Sequence, residues 1–212
     1  MSEKLLLIVG GKSTALEIFE VASSFYCDKY SKIYFLIGDS EKKSVDNQIF
    51  DSELKDYAKK YSYEYILSIN NQKIRLRIQK MMEEHFISPT NIIHPSAIIS
   101  NSSQIGLGNY IAANCVLSAN SSIGNNNIIN FNSTIGHDSQ LMDHAILNPG
   151  ARISGNVKIG SRVLIGSNSF IFQGKHIGND TVIDALTYID RDIESNRICT
   201  SKNTKVLKRV VY

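Results

Sequence analysis

The sequence predicts two structural classes in one chain, a small α/β unit followed by a long parallel β-helix. Before residue 86, short apolar runs that are typical of buried strands alternate with amphipathic stretches of helical period. From Ile93 to Ile189, every sixth residue is Ile or Leu, without one slip of register. A period of six fits neither an α-helix nor simple strand alternation, and it is the repeat of a hexapeptide β-helix.

Composition limits the kind of protein before any motif is considered. The chain has 212 residues, 42% of them hydrophobic, and a net charge of +3, as in a soluble globular protein. No cluster of Lys and Arg dominates, so neither nucleic acid nor a membrane surface is expected as a partner. The apolar run at the N-terminus is too short for a signal peptide. The three cysteines are widely scattered, which favours reduced thiols and a cytoplasmic location.

The first 85 residues are predicted to form a β-α-β-α-β-α unit with a parallel sheet. We place the boundary between the two domains after residue 88, which gives domains of residues 1–88 and 89–212. The predicted strands cover residues 5–9, 33–37 and 65–69, and the predicted helices cover 14–26, 52–61 and 72–84.

A short glycine-containing segment follows the first predicted strand, where the α/β unit would bind a ligand. Its residues are Gly10, Gly11, Lys12 and Ser13. A P-loop would need glycine where Leu6 stands, and the dinucleotide fingerprint lacks its later glycines. Two interpretations remain open: a tight turn in which Ser13 or Thr14 caps the next helix, or a site for an anion or nucleotide.

Three hexads make one triangular coil of the predicted β-helix, so equivalent residues lie eighteen apart and seventeen hexads give five to six coils. The corners need residues that tolerate positive φ. Asparagines lie between the inward positions, as this requires: Asn101, Asn114, Asn120, Asn125, Asn126, Asn132, Asn168 and Asn179. We expect the outer side chains of all three faces to be short or apolar, which favours packing as a trimer.

His137 is the histidine that best suits catalysis. It precedes Asp138 at a corner of the β-helix, and small residues, Ala119 and Gly155, stand one coil before and one coil after it. An imidazole with space around it and a carboxylate beside it is suited to act as a general base. The alternative is a solvated turn histidine beside a solubilising aspartate.

The other histidines are weaker candidates. His144 also has an aspartate neighbour, Asp143, but no space is cleared for it in the preceding coil, so we expect it at the surface. No pair of histidines has the spacing of metal ligands, and no metal site is predicted.

The whole chain resembles the sialic acid O-acetyltransferase (NeuD/PglD-like) family of sugar O- and N-acetyltransferases. Members combine a Rossmann-like domain that binds a sugar nucleotide with a left-handed β-helix that binds acetyl-CoA. The matching stretches are Val9-Gly10-Gly11, Asn71-Gln72-Lys73-Ile74-Arg75, Ile93-His94-Pro95-Ser96-Ala97, Gly136-His137-Asp138 and Ser154-Gly155-Asn156-Val157-Lys158-Ile159-Gly160.

The resemblance implies a catalytic role for His137 as general base and for Asp138 as the residue that orients it. It also implies that acetyl-CoA runs along a groove between two subunits of a homotrimer, with no metal and no covalent acyl-enzyme. The residues implied for acetyl-CoA are Ile146, Gly155, Asn156, Lys158 and Gly174. Those implied for the sugar nucleotide are Gly10, Gly11, Lys12, Ser13, Asp39 and Asn71.

Three functions follow as hypotheses. The first is acetyl-CoA-dependent N-acetylation of a nucleotide-linked amino sugar, a UDP-4-amino sugar being favoured, for bacterial cell-surface glycan synthesis. The second is O-acetylation of sialic acid or a related glycan sugar. The third is a trimeric nucleotide-binding scaffold without catalysis, which gains weight because the glycine-rich loop of the family is reduced here to Gly10 and Gly11. In addition, Ile146 stands where many members carry a second histidine, nine residues after the first.

Overall fold

A computed structural model of the chain describes residues 4–41 and 47–201. Its N-terminal unit contains, in chain order, β1 Lys4–Val9, α1 Thr14–Phe25, β2 Lys32–Ile37, β3 Gln48–Phe50, a 3₁₀ helix Asp51–Glu53, α2 Leu54–Ala58, β4 Ser62–Leu67, α3 Gln72–Glu84 and β5 Ser88–Pro89. The five strands form one parallel sheet in the order β3-β2-β1-β4-β5. No helix in the described ranges combines the length and apolar character needed to span a bilayer.

The central strand β1 is buried on both faces because successive side chains point to opposite sides of a strand. Leu6 and Ile8 pack in the same hydrophobic cluster as Ile18 of α1, whereas Leu5 and Leu7 pack in the cluster that contains residues of α2 and α3. The sheet therefore lies between α1 on one face and α2 and α3 on the other.

The predicted strands and helices of this unit are present, but α2 is shorter than expected, and β4 begins at Ser62 and ends at Leu67 rather than covering 65–69. Two strands were missed. β3 has only three residues, and β5 has two residues and ends in Pro89, so neither shows a run of alternating apolar side chains. β5 spans the predicted domain boundary and pairs with β4, and the division into two domains stays a prediction.

The rest of the described chain forms a parallel β-helix from strands of two residues each. They are β6 Ile92–Ile93, β7 Ile98–Ile99, β8 Gln104–Ile105, β9 Tyr110–Ile111, β10 Val116–Leu117, β11 Ser122–Ile123, β12 Ile128–Ile129, β13 Thr134–Ile135, β14 Gln140–Leu141, β15 Ile146–Leu147, β16 Arg152–Ile153, β17 Lys158–Ile159, β18 Leu164–Ile165, β19 Phe170–Ile171, β20 His176–Ile177, β21 Val182–Ile183, β22 Tyr188–Ile189 and β23 Ile198–Cys199.

These strands stack into three parallel sheets, so that six coils form a triangular prism. We call the sheet that runs from β6 to β23 the first face, the one from β7 to β22 the second face, and the one from β8 to β20 the third face. Paired residues lie eighteen apart, as between Thr134 and Arg152. The stacked parallel strands are consistent with the predicted left-handed β-helix.

The column of aliphatic residues points into the prism, as predicted. Every member from Ile111 to Ile189 is buried, whereas Ile93, Ile99 and Ile105 are partly buried because the first coil has a neighbouring coil on one side only. The six-residue period breaks after Ile189, but the coil continues. A step of four residues leads to Ile193, and the pairing then continues through β23.

The asparagine pattern was mostly interpreted correctly. The asparagines with positive φ include Asn114, Asn120, Asn126, Asn132 and Asn168. Asn101, Asn125 and Asn179 do not have it. The side-chain oxygens of Asn125 and Asn179 instead accept hydrogen bonds from the backbone N–H groups of Leu107 and Ser161, one coil earlier.

The three faces differ, which corrects the expectation of uniformly short or apolar outer side chains. On the first face, the outward residues Ile92, Tyr110, Ile128 and Ile146 are buried, and α1 packs against β6. On the third face the outward residues are polar: Gln104, Ser122, Gln140, Lys158 and His176. The second face exposes Ile98, Phe170 and Tyr188 among its outward residues.

Candidate active site

His137 lies at the corner between the second and third faces, directly after β13. Gly155 leaves the space for its imidazole, and Gly136 allows the two neighbouring coils to approach each other. A Cβ on Gly155 would lie 2.5 Å from Nε2 of His137, and a Cβ on Gly136 would lie 2.5 Å from the backbone nitrogen of Gly155. The ring therefore lies directly against the backbone of the next coil, in a place that any larger residue at 155 would occupy.

The imidazole is held by a carboxylate that has a second partner. Nδ1 of His137 lies 2.8 Å from Oδ2 of Asp138, and Nδ2 of Asn120 donates to Oδ1 of the same carboxylate at 3.1 Å. The hydrogen bond with His137, followed by that with Asn120, holds the pKa of Asp138 below its usual range. With the Nδ1 proton directed at Asp138, the Nε2 atom is left to accept a proton.

Asn120 is a site residue that sequence reasoning interpreted only as a turn asparagine. It precedes Asp138 by eighteen residues, so it occupies the same corner position one coil earlier. That spacing is the signal that could have identified it. The imidazole and the carboxylate are both about half exposed, with 53% and 47% of their side-chain surfaces accessible, so a substrate can reach them.

Most residues implied for acetyl-CoA lie on this same corner. Asn156 and Gly174 follow Asp138 at successive intervals of eighteen residues. The backbone N–H of Asn156 donates to the carbonyl of His137 at 2.8 Å, and that of Gly174 donates to the carbonyl of Gly155 at 3.0 Å. Nothing lies within 4 Å of a Cβ built on Gly174. The corner is therefore continuous and open beyond the imidazole.

Two other residues in that set have different positions. Lys158 begins β17 and is exposed on the third face, beside the corner. Ile146 begins β15 on the first face and is fully buried there. The structure thus does not bring Ile146 to the His137 corner of the same chain, because that corner lies between the second and third faces.

His144 is not a surface residue, and that expectation is wrong. Only 5% of its surface is accessible, because it lies beneath α3. Its Nε2 is 2.6 Å from Oε1 of Gln79, and its carbonyl accepts a hydrogen bond from Nε2 of Gln72 at 2.9 Å. Burial, together with the charge of nearby Arg75, lowers the pKa of His144 to about 4. Its ring is therefore neutral at neutral pH.

The segment after β1 lines a cleft in the N-terminal unit. Its residues Gly10, Gly11, Lys12 and Ser13 face Ser68, Ile69 and Asn70, which follow β4, across a cavity of ≈ 380 Å³. Gly10 has a φ of 113°, and a Cβ there would lie 2.5 Å from Oγ of Ser68. Ser68, Ile69 and Asn70 were not predicted for this cleft, although the next residue, Asn71, was implied for the sugar nucleotide. Adjacent parallel strands end at the same edge of a sheet, which was the available signal.

The remaining residues implied for the sugar nucleotide have local partners. Asp39 accepts hydrogen bonds from the backbone N–H and the hydroxyl of Ser52, at 3.1 and 2.8 Å. Asn71 caps α3 by accepting from the N–H of Ile74 at 3.2 Å. Ser13 occupies the cap position of α1 without a side-chain cap hydrogen bond, so Ser13, one of the two capping candidates in the turn interpretation, does not cap this helix.

Within the described residues, no group of three or more His, Cys, Asp or Glu side chains could hold a metal ion. The chemistry available at the His137 corner is that of an imidazole backed by a carboxylate and an amide, beside a glycine-lined groove. This arrangement can remove a proton from a nucleophile.

No protein-family model matches the chain, and no curated protein matches it. Solved structures do. A variant of perosamine N-acetyltransferase from Caulobacter crescentus, in complex with CoA and GDP-perosamine, is 25% identical with a TM-score of 0.84, covering 91% of each chain. The acetyltransferase domain of PglB from Neisseria gonorrhoeae, in complex with acetyl coenzyme A, is 26% identical with a TM-score of 0.82, covering 92% of this chain and 95% of that one.

A third structure, WeeI from Acinetobacter baumannii, has a TM-score of 0.85 at 17% identity, covering 94% of this chain and 98% of that one, and supports the fold alone. Together the comparisons confirm the resemblance to the sugar acetyltransferases of the left-handed β-helix class that the sequence motifs indicate.

Proposed function

We propose that this chain is an acyltransferase that moves the acetyl group of acetyl-CoA to the amino group of a nucleotide-linked amino sugar. The observation that carries the proposal is the imidazole of His137, bonded to Asp138 and lying against Gly155. The comparisons support the proposal. This chain is similar, over about nine-tenths of both chains, to two acetyltransferases, one bound to CoA and GDP-perosamine and the other to acetyl coenzyme A.

In the proposed reaction, His137 accepts a proton from the sugar amine through Nε2 as the amine attacks the thioester carbonyl. A C–N bond forms and the C–S bond breaks. The CoA thiolate leaves and takes up the proton from the imidazolium, so an amide and free CoA thiol result. Asp138 stabilises the imidazolium and keeps the Nδ1 proton in place, as a carboxylate does in other histidine bases.

Acetyl-CoA is proposed to run along the corner that contains Gly155, Asn156 and Gly174, with Lys158 beside it. The exposed ammonium of Lys158 suits the phosphates of CoA. The thioester carbonyl would lie near the backbone of Gly155, where a side chain at that position would exclude both the imidazole and the ligand. Because His137 is half exposed in one chain, we propose that a second subunit of a homotrimer completes the groove.

The N-terminal unit, residues 1–88, is proposed to act as a Rossmann-like domain that holds the sugar nucleotide. The cleft formed by Gly10, Gly11, Lys12 and Ser13 lies where the strand ends of β1 and β4 meet the start of α1, which favours a phosphate group. Asp39 and Asn71 are proposed to bind the same ligand in addition to, or in place of, their local hydrogen bonds.

The test is a measurement of thiol release from acetyl-CoA with three groups of acceptors. These are UDP-linked 4-amino sugars, which the sequence resemblance favours, GDP-linked 4-amino sugars, since GDP-perosamine is bound in one of the similar structures, and free or CMP-linked sialic acid. Turnover with an amino sugar, and a product that carries the acetyl group on nitrogen, is the expected result. Turnover with sialic acid alone would contradict N-acetylation and favour O-acetylation as the function. Nucleotide binding without any turnover would favour a scaffold.

A further inference from the structure

Arg75 of α3 has surroundings that are unusual for an arginine. It is fully buried, and no carboxylate in the described part of the chain lies within ion-pair distance of it. Its guanidinium donates instead to two backbone carbonyls, those of Ile69 at 2.7 Å and of Asn126 at a shorter distance, while Nε has no partner. Burial lowers the pKa of Arg75 to about 10, so the group is charged at neutral pH.

The two carbonyls belong to different parts of the molecule. Ile69 follows β4 and lines the cleft that also contains Gly10 and Lys12. Asn126 stands at a corner of the β-helix with a φ of 55°, and its backbone N–H donates to the carbonyl of Leu107 at 2.8 Å. Arg75 therefore connects one wall of the cleft to a corner that the stacked coils hold rigidly.

The attachment of α3 to the β-helix has other sources. Gln72 donates to the carbonyl of His144, and Gln79 is bonded to the ring of the same histidine. A buried cation without a carboxylate costs stability, and an apolar side chain of similar volume is often neutral or better for folding. The feature that distinguishes Arg75 from the two glutamines is its hydrogen bond to the cleft wall at Ile69.

We propose that Arg75 is a positioning residue of the sugar-nucleotide cleft, which holds the backbone of Ile69 in the position that binds the nucleotide. On its other side, this wall is tied to β1, since the backbone N–H of Ser68 donates to the carbonyl of Val9 at 3.1 Å. Without Arg75, Ile69 is free to move relative to Gly10 and Lys12 while the rest of the fold is retained. The proposal rests on the proposed function of the cleft.

The experiment compares Arg75→Met with Gln79→Met, which removes a hydrogen bond from the same helix without touching Ile69. Calorimetric titrations measure the dissociation constants of UDP, GDP and acetyl-CoA for each variant and the wild type. Arg75→Met is expected to weaken the nucleotide that the wild type binds by about 10-fold or more, since small displacements of binding groups have large effects. The affinity for acetyl-CoA is expected to change less than about 2-fold, and Gln79→Met to retain nucleotide affinity.

Arg75→Lys keeps a charge that reaches one of the two carbonyls, and partial recovery of nucleotide affinity is expected. If Arg75→Met does not fold, Arg75→Lys alone tests the positioning role. Unchanged nucleotide affinity in both Arg75 variants, or an equal loss in Gln79→Met, would overturn the positioning role while leaving the cleft as a nucleotide site. A wild type that binds acetyl-CoA but neither nucleotide overturns the assignment of the cleft itself, and the positioning role with it.

Discussion

His137 and His144 stand seven residues apart at successive corners of the β-helix, each next to an aspartate in the sequence, and they have opposite surroundings. The ring of His137 is half exposed and bonded to the carboxylate of Asp138. The ring of His144 is buried beneath α3 and bonded to the amide of Gln79.

The two aspartates explain part of the difference. Asp138 has positive φ, and its carboxylate reaches the preceding imidazole. Asp143 directs Oδ1 at the backbone N–H of Asn125, one coil earlier, at 2.7 Å. An aspartate beside a histidine in sequence is therefore not sufficient for a catalytic pair. The remaining difference between the two histidines comes from what covers each corner. His137 is accessible at the corner between the second and third faces, whereas α3 covers His144.

The comparison is tested most directly by removing each imidazole. His137→Ala is expected to lower kcat about 10²-fold or more and to leave the dissociation constant of acetyl-CoA nearly unchanged, because a general base acts on the transition state. Steady-state kinetics and calorimetry measure the two quantities. His144→Asn is the matched control, and its kcat should stay within about 3-fold of the wild type. Wild-type turnover in His137→Ala would contradict the proposed mechanism.

Gly155→Ala tests whether the space beside His137 matters. The new Cβ would lie 2.5 Å from Nε2 of His137, so the ring must move and kcat is expected to fall about 10-fold. Gly166→Ala, which places a Cβ 2.3 Å from the backbone nitrogen of Ala185 at another corner, controls for strain in the β-helix. Gly166→Ala is expected to lower the free energy of unfolding, whereas kcat per folded molecule should stay at the wild-type value. Equal kcat losses in both variants would contradict a specific role for Gly155.

The buried state of His144 has its own consequence for stability. Its pKa is about 4 in the folded state and about 6.5 in the unfolded chain, so the unfolded state binds more protons between these values. The stability that depends on the neutral ring is complete above pH 6.5 and is lost as pH falls towards 4. The ring is surrounded by Gln79, Arg75, Asp143 and Arg162, of which both arginines disfavour its protonation.

His144→Asn removes this titration and retains a residue that tolerates positive φ. From pH 7 to pH 5, the free energy of unfolding of the wild type should fall by about 2 kcal/mol more than that of the variant. Urea denaturation at both pH values measures the difference. Parallel pH profiles of the two proteins would show that His144 titrates normally, and hence that it is not buried.

The contrast between the two histidines also shows which parts of the site a sequence can reveal. The corner of His137 is predictable because its neighbours, Asp138 and Gly155, lie at separations of one and eighteen residues, both set by the repeat. The burial of His144 is not, because Gln72 and Gln79 come from a helix more than sixty residues earlier. No pattern in the repeat indicates that this helix covers the corner at which His144 lies.

The smallest expected effect concerns the partner of Asp138. Asn120→Ala removes a hydrogen bond that helps to hold the carboxylate, and it should lower kcat about 3-fold, in keeping with one exposed hydrogen bond. The pKa of Asp138 should rise, because that bond favours its ionised form, and an NMR titration of the carboxylate measures the rise. Asn132→Ala loses an asparagine with a similar positive φ at a different corner. If this control changes kcat and the pKa of Asp138 as much as Asn120→Ala does, the effect comes from the strained turn rather than from the lost hydrogen bond to the carboxylate.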